Sequence, residues 1–158
     1  MINQITHEDE LLAIIVYHNF DKSGIHFFTP NELSQQLAYM HYPMGKKILP
    51  HVHNPIAREV QYTKEVLVIR KGKLRVDFYN EQQQYLQSQI LEAGDVLLLI
   101  KGGHGFEVLS EVEMFEVKQG PYVGEQDKTR FVGISANEAK ITDGLEFSQR
   151  ELCPIIAG

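Results

Sequence analysis

The chain has 158 residues, 43% of them apolar, which suits one globular domain with a real core and not a disordered polymer. Its formal net charge is −6 and it carries no basic run, so the clustered Lys and Arg that nucleic-acid phosphates require are missing. The longest early apolar stretch, Leu11 to Tyr17, is far short of a membrane span and follows Glu8, Asp9 and Glu10, where a leader would be positive. We therefore expect neither a nucleic-acid nor a membrane partner. The only cysteine, Cys153, permits no intrachain disulfide and is read as incidental, and a cytoplasmic location is the default.

Residues 10–18, ELLAIIVYH, are rich in β-branched and aromatic side chains and read as a buried strand. Asn19 to Gly24 has turn chemistry and Ile25 to Phe28 resumes strand character, so the two runs are expected to form a hairpin. Thr29-Pro30-Asn31-Glu32 has the form of a capping box with proline at the first helical position, which predicts a short helix over Pro30 to Gln35. Gln36 to Tyr42 alternates as a further strand. His7, His18, His26 and His41 are read as structural.

Pro43 and Gly45 mark a bend before the stretch GKKILPHVHNPIAREVQYTKEVLVIRKG. His51 and His53 sit two apart in extended-looking sequence, and residues i and i+2 of a strand point the same way, so both imidazoles can reach one ion. The polar run Asn54 to Lys64 follows. It reads either as a solvated excursion or as a wall that grips an anionic ligand, with Arg58 the best anchor because a guanidinium holds two oxygens at once. Gln61 and Tyr62 belong to the same candidate wall.

Glu65 to Ile69 is a predicted strand; with Glu65 inward, Leu67 and Ile69 share its face. After the turn Lys71-Gly72-Lys73, Leu74 to Tyr79 puts Leu74, Val76 and Phe78 on one side and Arg75, Asp77 and Tyr79 on the other. Tyr85 to Leu91 pairs back on it across the turn Asn80 to Gln84. Val96 to Ile100 is a continuous apolar run, as in a strand buried on both faces. Gly102-Gly103-His104-Gly105 lacks the Gly-Lys-Ser/Thr of a nucleotide loop and reads as a turn that delivers His104 inward, with Phe106 and Val108 on the same face. In Glu113 to Gln119, Met114, Glu116 and Lys118 share one face; Glu116 and Lys118 either line a pocket or form a surface ion pair. Residues 127–134 make one more predicted strand, and Ser135 to Gly158 reads as an arm that packs across the barrel or a partner subunit. Many short strands with glycine-rich turns, and one or two short helices, indicate an all-β fold of barrel or jelly-roll type.

His51, His53, Glu65 and His104 together offer three nitrogens and one carboxylate, a set that transition metals favour. The same residues resemble the two motifs of the cupin family of small β-barrels. Gly45, five residues, His51-Val52-His53 and then Glu65, six residues, Gly72 follow the first motif, but eleven residues separate His53 from Glu65 where three or four are usual. Glu59 and Gln61, inside that gap, are the alternative donors to Glu65. In the second motif Gly94 and Gly102 keep their spacing, Ile100 replaces the usual proline, His104 comes one residue early and Val108 stands in place of Asn. Residues 20–132, including FYNEQQQY, GGHGFEV and EVKQGPY, are also similar to small cupins encoded beside surface-polysaccharide and nucleotide-sugar genes.

The resemblance implies a cupin-type β-barrel, or double-stranded β-helix, with a single domain over 1–158: N-terminal strands and a short helix over 1–44, a two-motif core over 45–120, and a last strand and arm over 121–158. It implies one divalent metal ion, with His51, His53, Glu65 and His104 as ligands. Four ligands would close a tetrahedral zinc site, whereas six-coordinate Fe, Mn or Ni would keep two positions for water or substrate. It implies a small polar ligand such as a sugar or sugar derivative, with Arg58, Gln61, Tyr62, Phe106, Glu116 and Lys118 as candidate contacts. An acidic sugar or sugar phosphate would suit Arg58, Lys64 and Lys118. Three functions follow: a metal-dependent isomerase or oxygenase, a metal-containing binding or sensor domain without catalysis, or a metal-free epimerase-like cupin with a histidine as general base. Cupins commonly pair through their sheets, so a homodimer is expected, with Leu11 to Val16 as an exchanged or abutting strand.

Overall fold

The computed structural model describes residues 1–142. It contains ten strands: β1 (Ile2–His7), β2 (Glu10–Val16), β3 (Gly24–Phe27), β4 (Ala38–His41), β5 (Glu65–Lys71), β6 (Lys73–Tyr79), β7 (Tyr85–Glu92), β8 (Val96–Leu99), β9 (Gly103–Val108) and β10 (Glu113–Lys118). Helix is confined to two 3₁₀ turns, Gly124–Asp127 and Ala136–Glu138. The fold is all-β, and among the described residues no helix is long and apolar enough to cross a membrane. Among the described residues two compact units emerge: Met1–Phe20 together with residues 62–142, and Asp21–Gln61.

The larger unit holds two antiparallel sheets, one in the order β1-β2-β8-β5-β10 and one in the order β7-β6-β9. Neither closes on itself, so they form two open layers and not one closed barrel. Period-two alternation puts Leu67 and Ile69 of β5, Leu97 and Leu99 of β8, Ala13 and Ile15 of β2, and Leu74, Val76 and Phe78 of β6 into one shared apolar cluster. Each such side chain contributes about 1.5–3 kcal/mol on burial. Strands β2 and β8 lie inside the larger sheet, and Ile14 and Leu98, on the face opposite the cluster, are also fully buried. Leu11 to Val16 is thus paired within the chain on both sides, to β1 and to β8.

The expected hairpin of residues 10–18 with Ile25 to Phe28 does not form. β2 turns back on β1, a strand absent from the sequence reading, through Glu8 and Asp9, both at positive φ (48° and 64°) as a two-residue type I′ hairpin requires. The predicted strand over 127–134 is also replaced. After the Gly124–Asp127 turn the chain runs without ladder pairing, then meets β7, where Ser88 N–H donates to Lys140 O (2.9 Å) and Thr142 N–H donates to Ser88 O (3.2 Å). The described part of the expected arm therefore packs on the smaller sheet; Cys153 and the arm beyond residue 142 lie outside the described residues.

The smaller unit is built on the β3–β4 hairpin, in register Gly24↔His41 to Phe27↔Ala38. The predicted helix over Pro30 to Gln35 is absent, because the capping groups are spent on closing a loop. Thr29 Oγ1 donates to Gln36 Oε1 (2.7 Å) and accepts from Leu37 N–H (3.2 Å). Gln36 Nε2 donates to the carbonyls of Pro30 (2.8 Å) and Leu33 (2.9 Å). Six residues yield too few helical hydrogen bonds to compete with that closure. His51 and His53 are likewise not on a strand: residues 42–61 of this unit form no ladder, and Pro50 and Pro55, which lack N–H donors, flank the pair.

Candidate functional site

The larger unit contains a cleft of about 580 Å³, and its floor follows from strand register. On β5, Glu65 shares the inner face with Leu67 and Ile69 but lies at the strand's first residue, where the apolar cluster gives out. On β9, His104 pairs opposite Phe78, Phe106 opposite Val76 and Val108 opposite Leu74, so all three share the inner face, as the alternation predicts. Phe106 and Val108 are nevertheless 40% and 60% exposed, because no described residue closes the layers on that side. On β10, Lys118 pairs opposite Glu65, Glu116 opposite Leu67 and Met114 opposite Ile69, which puts Lys118 and Glu116 on the inner face too. The cleft is this open side.

Glu65 and His104 meet there although 39 positions apart in the chain and on different sheets: His104 Nε2 lies 3.3 Å from Glu65 Oε2. Lys118 Nζ lies 3.8 Å from Glu65 Oε1 and 3.2 Å from Glu116 Oε1. The His104 ring rests against Phe106, centroids 5.2 Å apart. The hydrogen bond from His104 holds the Glu65 carboxyl below the ordinary carboxylate value; burial opposes this, and the nearby charges of His104, Lys118 and Lys128 add to it. Glu116 in turn raises Lys118. The floor therefore presents an anionic carboxylate beside an imidazole, flanked by a permanent cation.

One wall is the segment that sequence reading took for a strand. Asp127, Lys128, Thr129, Arg130, Phe131 and Gly133 line the cleft. Both ends of the segment are tied. Thr63 Oγ1 donates to Asp127 Oδ1 (3.1 Å) just before β5. At the other end Phe131 meets Tyr79 edge to face, centroids 5.0 Å apart, and Ile134 N–H donates to the Tyr79 hydroxyl (3.0 Å). The crossing is tight: a Cβ on Gly133 would stand 2.9 Å from Tyr79 Oη, and one on Gly103 3.0 Å from the Phe131 ring, so either ring would have to shift to admit one.

Of the residues singled out from sequence, Glu65, Tyr62, His104, Phe106 and Glu116 line the cleft, and Lys118 touches its floor. His51, His53, Arg58 and Gln61 belong to the smaller unit. The His51 and His53 rings do come together, centroids 5.2 Å apart at 87°, both exposed. His51 Nδ1 lies 3.1 Å from Leu49 O, which fixes the proton there and leaves Nε2 free as a donor to a metal. Among the described residues Arg58 donates only to Ile56 O, at 3.4 Å, and Gln61 is exposed. Lys101, Lys128, Arg130 and Phe131 were missed; the one signal for the last three is the cationic-aromatic run Lys128-Thr129-Arg130-Phe131, which has strand-like composition.

Among the described residues of each unit, no group of three or more His, Cys, Asp or Glu side chains is gathered as an ion would need. The Glu65–His104 pair itself fits one. Two ligand atoms each about 2.1 Å from an ion stand roughly 3.0 Å apart at a right angle and 3.4 Å apart at the tetrahedral angle, and the pair's 3.3 Å lies between. In comparisons with protein-family models, curated proteins and solved structures, none matches this chain.

Proposed function

We propose that this chain is a cupin-type, jelly-roll protein whose working centre is the cleft, with Glu65 and His104 as two ligands of one divalent transition metal ion. His51 and His53 are the other two ligands that the motif assigns. The ligand is a small polar molecule such as a sugar or sugar derivative, and the chemistry is of isomerase or oxygenase type. The observation that carries this reading is the convergence of Glu65 and His104, at 3.3 Å, in a cleft of a size that suits small ligands. When bound, such an ion polarises a carbonyl or hydroxyl oxygen. The chain's own part is to orient: Lys118 steadies Glu65 as a carboxylate, and Phe106 shields one side of His104. Phe115 and Val117, exposed on the outer face of edge strand β10, support the homodimer reading.

The position of Glu65 against His104 Nε2 favours one second reading, a metal-free general base. The carboxylate would hold the proton on Nε2, leaving Nδ1 to accept a proton from substrate. Elemental analysis of the purified chain separates the two. The metal reading expects close to one equivalent of a first-row transition metal, lost in His104→Ala and in the His51→Ala/His53→Ala double variant. A metal-free protein that still turns over a sugar panel, with activity lost in His104→Ala, would replace it with the second.

A further inference from the structure

We infer that the cleft takes its ligand by an anionic group, a phosphate or a carboxylate, held at the rim by Lys128 with Arg130 beside it. The inference rests on the cleft being a ligand site, and not on the metal.

The charges of the cleft are sorted by element. The carboxylates Glu65 and Glu116 come from β5 and β10, whereas the wall segment brings the two cations Lys128 and Arg130 beside one carboxylate, Asp127, which accepts from Thr63. The other cations here are already matched: Lys118 by Glu65 and Glu116, Lys101 by Glu10, Arg130 by Glu125. Lys128 enters no ion pair among the described residues, yet its charge is felt at both Glu65 and Glu125. A chain of net charge −6 has no general basic surface, so an ammonium that lines a cleft with no ion pair among the described residues marks a local preference for anions.

The arrangement also sets orientation. An anion that entered towards β5 and β10 would meet Glu65 and Glu116, while along the wall it meets Lys128, Thr129 and the Arg130 guanidinium, whose terminal nitrogens also hold Glu125. The uncharged part of the ligand then falls to Glu65 and His104. Because the wall is tied at Asp127 by Thr63 and at Phe131 and Ile134 by Tyr79, the backbone that carries Lys128 is fixed in advance. Preorganisation of that kind lowers the ordering entropy of binding.

The test is a titration of the ¹⁵N-labelled full chain with inorganic phosphate, glycerol 3-phosphate and glycerol, followed by amide shifts. Saturable shifts at residues 127–133 are expected with both phosphates and not with glycerol. Lys128→Met should weaken phosphate binding roughly tenfold, the loss of one charge-assisted contact, with an unchanged circular dichroism spectrum. Repeating the titration after chelation separates this inference from the metal reading: unchanged affinity keeps the anion site even if no metal is ever found. The inference is overturned if wild type shows no saturable shifts, if Lys128→Met binds as wild type does, or if chelation abolishes phosphate binding and so assigns the anion to the ion.

Discussion

Arg75→Met is expected to lower the stability of the larger unit by about 3–5 kcal/mol, the effect of removing one partner from a buried ion pair. Arg75 and Asp77 are neighbours on the outer face of β6, with side chains only 6% and 7% exposed. The guanidinium grips the carboxylate with two hydrogen bonds, Nε to Oδ1 (2.8 Å) and a terminal nitrogen to Oδ2 (3.0 Å), and also pairs with Glu107 on β9. Ser88 on β7 donates to the same Asp77 oxygen, and the Tyr85 hydroxyl joins Ser88 (2.7 Å) and accepts from Lys140 N–H (2.7 Å). The pair thus links all three strands of the smaller sheet to the arm that crosses it. Methionine would leave Asp77 buried with Ser88 as its remaining side-chain partner. Adding Asp77→Leu should recover most of the loss, because what destabilises is the orphaned charge. Urea unfolding of the two variants checks this; a single variant within about 1 kcal/mol of wild type would show that water already reaches Asp77.

Gly102→Ala should damage stability and site together. Gly102 has φ of +78°, and a Cβ there would stand 2.6 Å from the backbone oxygen of Tyr79, so the start of β9 has to move away from β6. Strain plus displacement is expected to amount to about 2–3 kcal/mol. His104 is two residues on, and its approach to Glu65 depends on that same register. Gly24→Ala is the control: φ there is +96° but the space around it is open, so only about 1 kcal/mol of conformational strain is expected and the cleft is untouched. Thermal unfolding of both variants, with metal content measured alongside, distinguishes a lost site from a merely weakened fold.

The parts of this fold that were legible in sequence are those governed by period two. Leu74, Val76 and Phe78 against Arg75, Asp77 and Tyr79, the doubly buried run at β8, and the shared faces of Glu65 with Leu67 and Ile69, of His104 with Phe106 and Val108, and of Met114 with Glu116 and Lys118 all follow from side-chain alternation along single strands; which way the last face points did not. Pairing was less legible, because partners depend on turn geometry. The Glu8-Asp9 turn contains no glycine or asparagine, so β1 and its hairpin gave no sequence signal despite the positive φ angles. The helix expected after Thr29 illustrates the opposite error: capping chemistry was present, but Gln36 offered the same backbone groups a shorter closure. In the candidate site, the strand-borne residues could be foreseen and the wall could not. Lys128 to Gly133 is positioned by Tyr79, some fifty residues earlier, through ring contact and a hydroxyl that no local periodicity encodes.

The most direct test of the proposed centre is a crystal structure of the metal-loaded protein with data collected at the absorption edge of the ion. The account predicts an anomalous peak within about 2.0–2.3 Å of both a Glu65 carboxylate oxygen and His104 Nε2. A well-ordered structure whose only ion sits elsewhere, with Glu65 and His104 still joined directly to each other, would contradict it.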